Sequence, residues 1–148
     1  MGKVSHTPGP WGWFGTDHGI YLATKHSGRR FVMGFRRLGM HGAQPTFQID
    51  KKGMFPASEL VQFEVGDKAV RGFKEAKANG TVYRYDVTAI DHPDARLIAS
   101  APEILEALIA ALPYVETAES DEGYKPGAVA KVSAQMRAAI AKATGEAE

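Results

Sequence analysis

The sequence predicts an α+β fold: an N-terminal antiparallel β-sheet of about five strands packed by two or three C-terminal helices, in a single domain over residues 1–148. Three observations predict it. Residues 1–90 hold short apolar and aromatic runs separated by Gly, Pro, Asp and Ser, the punctuation of strands joined by turns. Beyond residue 91 the apolar spacing changes to three and four, the period of amphipathic helices. No strand pattern alternates with a helical one, so a doubly wound parallel sheet is not expected.

The chain opens on an irregular segment rich in Gly, Pro and aromatic residues, which leads into a first strand around 11–14. Trp11 and Trp13 stand two apart, so a strand puts both on one face. Asp17-His18-Gly19 is a turn signal. Strands over 20–25 and 29–38 flank His26-Ser27-Gly28 and form a β-hairpin. In the second of these, Phe31, Met33 and Phe35 share one face, and Val32, Gly34 and Arg36 the other. Gly34 in mid-strand marks a bulge or a close approach by backbone or ligand. A strand over 46–49, a turn at Lys51-Lys52-Gly53, and a strand over 57–65 in competition with a short helix at 56–60 come next. Residues 66–80 are polar, with a helical turn at 72–78, and residues 81–90 alternate as a half-buried strand.

Asp91-His92-Pro93-Asp94 has the pattern of a helix start, with Asp91 as N-cap and Pro93 in the first turn. Ser100-Ala101-Pro102-Glu103 repeats that logic as a capping box. A short helix over 93–99, a kink and a longer helix over 101–117 are expected, with one apolar stripe running from Leu97 to Leu112 towards the sheet. A last helix starts near Pro126, uses Val129, Val132, Met136, Ala139 and Ile140 as its apolar face, and closes at Gly145.

A chain of 148 residues, 44% hydrophobic and 24% charged, can bury a core without covalent staples. With no cysteine it has no disulfide, no thiolate nucleophile and no Cys-ligated zinc. The first ten residues contain no apolar run, so no secretory signal is expected. The longest apolar stretch, 104–115, is interrupted by Glu106 and Pro113 and is too short for a bilayer, so a cytoplasmic protein without a membrane partner is expected.

The net charge of +1 conceals an asymmetry. Residues 1–90 hold 13 Lys/Arg against seven Asp/Glu, whereas residues 91–148 hold five against ten. No acidic residue lies between Asp17 and Asp50, where Lys25, Arg29, Arg30, Arg36 and Arg37 fall. Either the two halves neutralise each other, within a chain or between subunits, or the N-terminal half carries an anion-binding surface. The same asymmetry favours self-association, with a dimer expected.

The candidate ligand-binding residues are therefore Lys25, Arg29, Arg30, Arg36 and Arg37, with Trp13 and Tyr21. The hairpin places Lys25, Arg29 and Arg30 near its turn and Arg36-Arg37 at its far end. Guanidinium groups bind phosphate and carboxylate bidentately. Rings from Trp11, Trp13, Phe14, Tyr21, Tyr83 and Tyr85 are available for stacking on a base. Such a set fits a nucleotide or single-stranded nucleic acid, and equally the acidic face of a protein. It is purely structural if the rings are core and the arginines pair with the acidic helices.

Other chemistry finds little support. The five histidines lack H-x-x-x-H or H-E-x-x-H spacing, so no metal centre is expected. There is no G-x-S-x-G, Walker A or G-x-G-x-x-G motif, and no cofactor is expected. The pairs Asp91/Asp94 and Glu103/Glu106 fall where helix starts favour acids, which accounts for them better than acid–base catalysis does.

His6-Thr7-Pro8-Gly9-Pro10-Trp11 resembles the opening of many small, uncharacterised bacteriophage and prophage accessory proteins. The segment from Asp94-Ala95-Arg96-Leu97-Ile98-Ala99 through Ser100-Ala101-Pro102-Glu103 to Leu108 is similar to a helical stretch in the same proteins, as is Ala138 to Gly145. The resemblance brings no catalytic residues with it. It implies an accessory product made in an infected bacterium, where small phage proteins often blunt host defence.

Three functions follow. The first is a non-enzymatic counter-defence binding protein, whose partner is a host defence protein or an anionic nucleotide ligand. The second is a DNA- or RNA-binding regulator, against which stand the near-neutral charge and the absence of a basic helix. The third is a small hydrolase, which no residue spacing supports.

Overall fold

The structure, a computed structural model, describes residues 6–37, 39–40, 42–64, 78, 86–125 and 127–146. The expected helical turn at 72–78 and the first half of the strand at 81–90 lie outside the described residues, apart from Ala78. The chain divides into two compact units, Met1–Ile98 and Ala99–Glu148.

The first unit carries a five-stranded antiparallel meander in the order of the chain: β1 (Trp11–Thr16), β2 (Gly19–Thr24), β3 (Phe31–Arg37), β4 (Ala43–Ile49) and β5 (Gly53–Pro56). A second, two-stranded sheet pairs β6 (Val61–Glu64) with β7 (Asp86–Ile90), and the short helix α1 (Pro93–Ala99) follows. The second unit holds α2 (Ala101–Thr117) and α3 (Ala128–Thr144). Strands come first and helices last, so the fold is α+β.

Asp17 and His18 make a two-residue connection, with Thr16 paired to Gly19 at the head of the β1–β2 ladder. Residue 53 begins a strand that its turn-like sequence conceals: Gly53 pairs with Ile49 and Phe55 with Phe47. The competition over 56–60 resolves into both outcomes, a 3-10 turn at Ala57–Glu59 and then β6.

A bulge between Leu22 and Ala23 changes the facing of β3. Met33 pairs with Leu22 but Phe31 pairs with Ala23, and successive residues of β2 point to opposite faces. Phe31 and Met33 therefore do not share a face, as simple alternation requires. The core of this unit is Leu22, Ala23, Val32, Phe47, Ala57 and Ala95, with Thr24 and Thr46 also buried. Buried Thr24 is satisfied locally, because the Arg30 N–H donates to its Oγ1 at 2.9 Å.

Helix α1 starts differently from expectation. His92 precedes Pro93, and its ring Nδ1 accepts the Asp94 N–H at 3.2 Å, while its Nε2 lies 2.9 Å from the Gln48 carbonyl. Its ring also stacks on buried Phe47, with centroids 5.1 Å apart. The cap is thus His92 and not Asp91, whose carboxylate goes instead to the Arg96 guanidinium at 2.8 Å. Ser100 does stand at the N-cap of α2, with Pro102 in the first turn, but its side chain makes no capping hydrogen bond.

In the second unit α2 packs on α3. Met136 is buried on α3, Val129 and Ile140 are half-buried, and Val132 is exposed. On α2, Leu105, Leu108 and Leu112 are half-buried, whereas Ile104 and Ile109 are exposed. A polar cluster lies beside Met136. Fully buried Ser133 donates to the Glu119 carboxylate, and Arg137 pairs with Glu116 and stands 3.9 Å from Glu119. Gly145 closes α3 with a positive φ of 78°. Among the described residues no single helix is long and apolar enough to cross a membrane.

Candidate functional site

The β1–β2 register decides how the candidate residues divide. Phe14 pairs with Tyr21 and Trp13 with Leu22, so Trp13 lies on the opposite face of the sheet from Tyr21. Phe14, Tyr21 and Phe31 form a row of rings across three strands, with centroids 6.1 Å and then 4.6 Å apart. The bulge in the β2–β3 ladder is what brings Phe31 into this row.

Arg29 completes the row. Its guanidinium carbon lies 3.6 Å from the Phe14 ring centroid, and its Nη1 donates to the Tyr21 hydroxyl at 3.2 Å. An exposed contact of this kind contributes about 0.5–1 kcal/mol, a preference of a few-fold for this position. Beside the rings is an open groove of about 410 Å³, lined by Tyr21, Phe31, Gly34, Arg36, Thr46 and Met54. Gly34 forms part of it because there is no room for more: a Cβ there would lie 3.0 Å from the Thr46 hydroxyl and 3.6 Å from the end of Met54. The mid-strand glycine thus marks a close approach, and the bulge lies one strand pairing away.

The five cations split. Arg29 and Arg36 belong to the ring-and-groove face. Arg37 follows Arg36 in a strand and so points the other way. Arg30 lines a separate cleft of about 290 Å³ with Thr7, Gln48, Asp50, His92 and Asp94. Lys25 runs across Gly12 on the face of Phe14. All five are exposed, and among the described residues none is paired with a carboxylate. Lys25, Arg29 and Arg36 are brought to one side with Tyr21; Trp13, Arg30 and Arg37 are not. Phe31, Thr46 and Met54 join the site without a local signal, because only the pairing of β3 with β2, and of β4 with β3 and β5, delivers them. Tyr83 and Tyr85 lie outside the described residues.

The acidic residues near His92 are already engaged. Asp94, only 2% exposed, accepts hydrogen bonds from both the N–H and the hydroxyl of Thr7, at 2.6 and 2.7 Å. The Thr7 carbonyl in turn accepts the Trp11 indole N–H at 3.0 Å, and His6 meets the Trp11 ring edge-on. Among the described residues no group of three or more His, Asp or Glu side chains is placed to hold a metal ion.

The groove face offers two guanidinium groups, a phenol and apolar rings to a partner that carries negative charge beside an apolar part. The Thr7–Asp94 bonds have a different meaning, since they join the Gly/Pro-rich opening to the first turn of α1. No curated protein and no solved structure matches the chain. A family model described as Salmonella phage P22 protein Y8K6 matches residues 1–147, and the chain belongs to that phage protein family.

Proposed function

We propose that this phage protein is a non-enzymatic binding protein that acts inside the infected bacterium against a host defence system, by sequestering a nucleotide-type signal in the groove lined by Tyr21, Phe31 and Arg36, with Arg29 on the neighbouring rings. One observation carries the reading. The Arg29 guanidinium is fixed against Phe14 and Tyr21, without a carboxylate partner among the described residues, beside a groove whose volume falls within the small-ligand range. The rings beside it suit a base, and the guanidinium groups suit a phosphoryl group. The reading as a binder and not a catalyst draws support from the titratable groups around His92, which serve the fold through Thr7, Arg96 and Gln48.

A second reading, docking on a defence complex, is favoured by a different observation. Trp13, Ile20 and Phe35 are large apolar side chains exposed by 60%, 57% and 56% on one sheet, and Ile20 and Phe35 also line the groove. Exposed apolar surface of this kind marks protein contact sites.

Plating of a phage deleted for this gene tests the proposal. The mutant is expected to plate poorly on defended hosts and normally on undefended ones, with plating restored by the wild-type gene and not by R29A/R36A. Equal plating of the deletion mutant on both hosts removes the counter-defence role.

A further inference from the structure

Gly12 and Phe14 stand two residues apart on β1 and project from the same face, about 7 Å from each other along the strand. A cation lies over each. The Lys25 side chain crosses Gly12 so closely that a Cβ there would stand 2.6 Å from its Cε, 3.2 Å from its Cγ and 3.4 Å from its Cδ. The Arg29 guanidinium covers Phe14 and is tied to the Tyr21 hydroxyl. Glycine at position 12 is what lets Lys25 lie flat here.

We propose that Lys25 and Arg29 together bridge one terminal phosphoryl group, with the Tyr21 hydroxyl beside it. The inference rests on the nucleotide reading above and names the part of the ligand that this corner takes. Two cations with no carboxylate between them repel each other, and a dianion relieves this better than a monoanion. A phosphomonoester carries about −1.5 to −2 charges near neutral pH, because its second pKa is about 6. A phosphodiester or a single carboxylate carries only one. Charge-assisted hydrogen bonds of about 2.8 Å can run from two cations to different oxygens of one phosphoryl group, and Lys25 and Arg29 lie over neighbouring same-face positions of β1. Arg29 adds a planar fork, held in place by the ring beneath it.

Amide NMR titration of the full chain, at fixed ionic strength, tests the proposal with inorganic phosphate, AMP, 3′,5′-cyclic AMP and adenosine as probes. Phosphate and AMP are expected to shift the amides of Gly12, Phe14, Tyr21 and Arg29, with AMP bound about tenfold more tightly than cyclic AMP. Adenosine leaves the amides of Gly12 and Arg29 in place. Gly12→Ala puts a methyl group where Lys25 lies and displaces the flexible side chain, so AMP affinity falls about tenfold at unchanged charge. Lys25→Gln, at an exposed position, gives a similar loss whether or not the glycine variant folds. Equal affinity for AMP and cyclic AMP, unchanged AMP affinity in Lys25→Gln, or no phosphate shifts at these residues would overturn the site. If adenosine still shifts Gly34 and Thr46 in that case, the groove reading survives. If phosphate shifts the four amides but AMP leaves Gly34 and Thr46 unmoved, the corner stands and the groove reading fails.

Discussion

Thr7 and Asp94, 87 residues apart, are joined by two hydrogen bonds from the Thr7 N–H and hydroxyl to one buried carboxylate. The pair locks the Gly/Pro-rich opening against the first turn of α1, so these motif residues support the fold and not the groove. Asp94→Ala leaves both Thr7 donors without their acceptor and is expected to cost about 2 kcal/mol of stability. Thr7→Val keeps the N–H bond and costs less, about 1 kcal/mol. Urea unfolding midpoints with an unchanged slope measure both, and AMP-induced amide shifts in the groove should persist in folded Thr7→Val.

His92 caps α1, approaches the Gln48 carbonyl and stacks on Phe47. His92→Ala removes the cap and the ring contact together, for an expected loss of about 1–3 kcal/mol. His92→Asn restores a capping side chain without the ring and should recover part of it. Thermal unfolding of the two variants gives the order; equal losses would mean that the cap contributes nothing.

Ser133 is fully buried beside Glu119 and Arg137. Ser133→Leu overfills this position and leaves the carboxylate without its hydroxyl, so about 1–3 kcal/mol is lost. Arg137 is half exposed, and an ion pair so open to solvent contributes at most about 1 kcal/mol, so Arg137→Ala is the milder change. Unfolding followed by helical circular dichroism ranks them.

Gly34→Leu fills the groove from its floor, where Met54 can yield but the Thr46 hydroxyl is already close. AMP-induced shifts at Phe31 and Thr46 should disappear in this variant, while phosphate-induced shifts at Gly12 and Phe14 persist. Loss of both sets would show that the change disturbs the whole sheet.

The helices could be read from the sequence because their signals are local. Pro93 and Pro102 sit in first turns, and the three- and four-residue apolar spacing carries 93–99 and 101–117 to the observed bounds. The strands were clear where alternation is clean and obscure at Gly53–Pro56, where turn-forming residues enter an edge strand. The groove was only half visible. Basic residues and rings in the 25–37 stretch announced a surface, but nothing local separates Arg29 from Arg30 or reveals that a bulge turns Phe31 towards Tyr21. Thr7 and Asp94 show the same limit, since each looks like an ordinary turn or helix-start residue until the fold joins them.

The most direct measurement compares two double variants that remove the same charge from different faces. Native mass spectra of protein recovered from one infected-cell lysate are expected to show a small anionic ligand on the wild type and on R30A/R37A, and none on R29A/R36A. Equal retention, or equal loss, by the two double variants would contradict recognition by the face that carries Arg29 and Arg36.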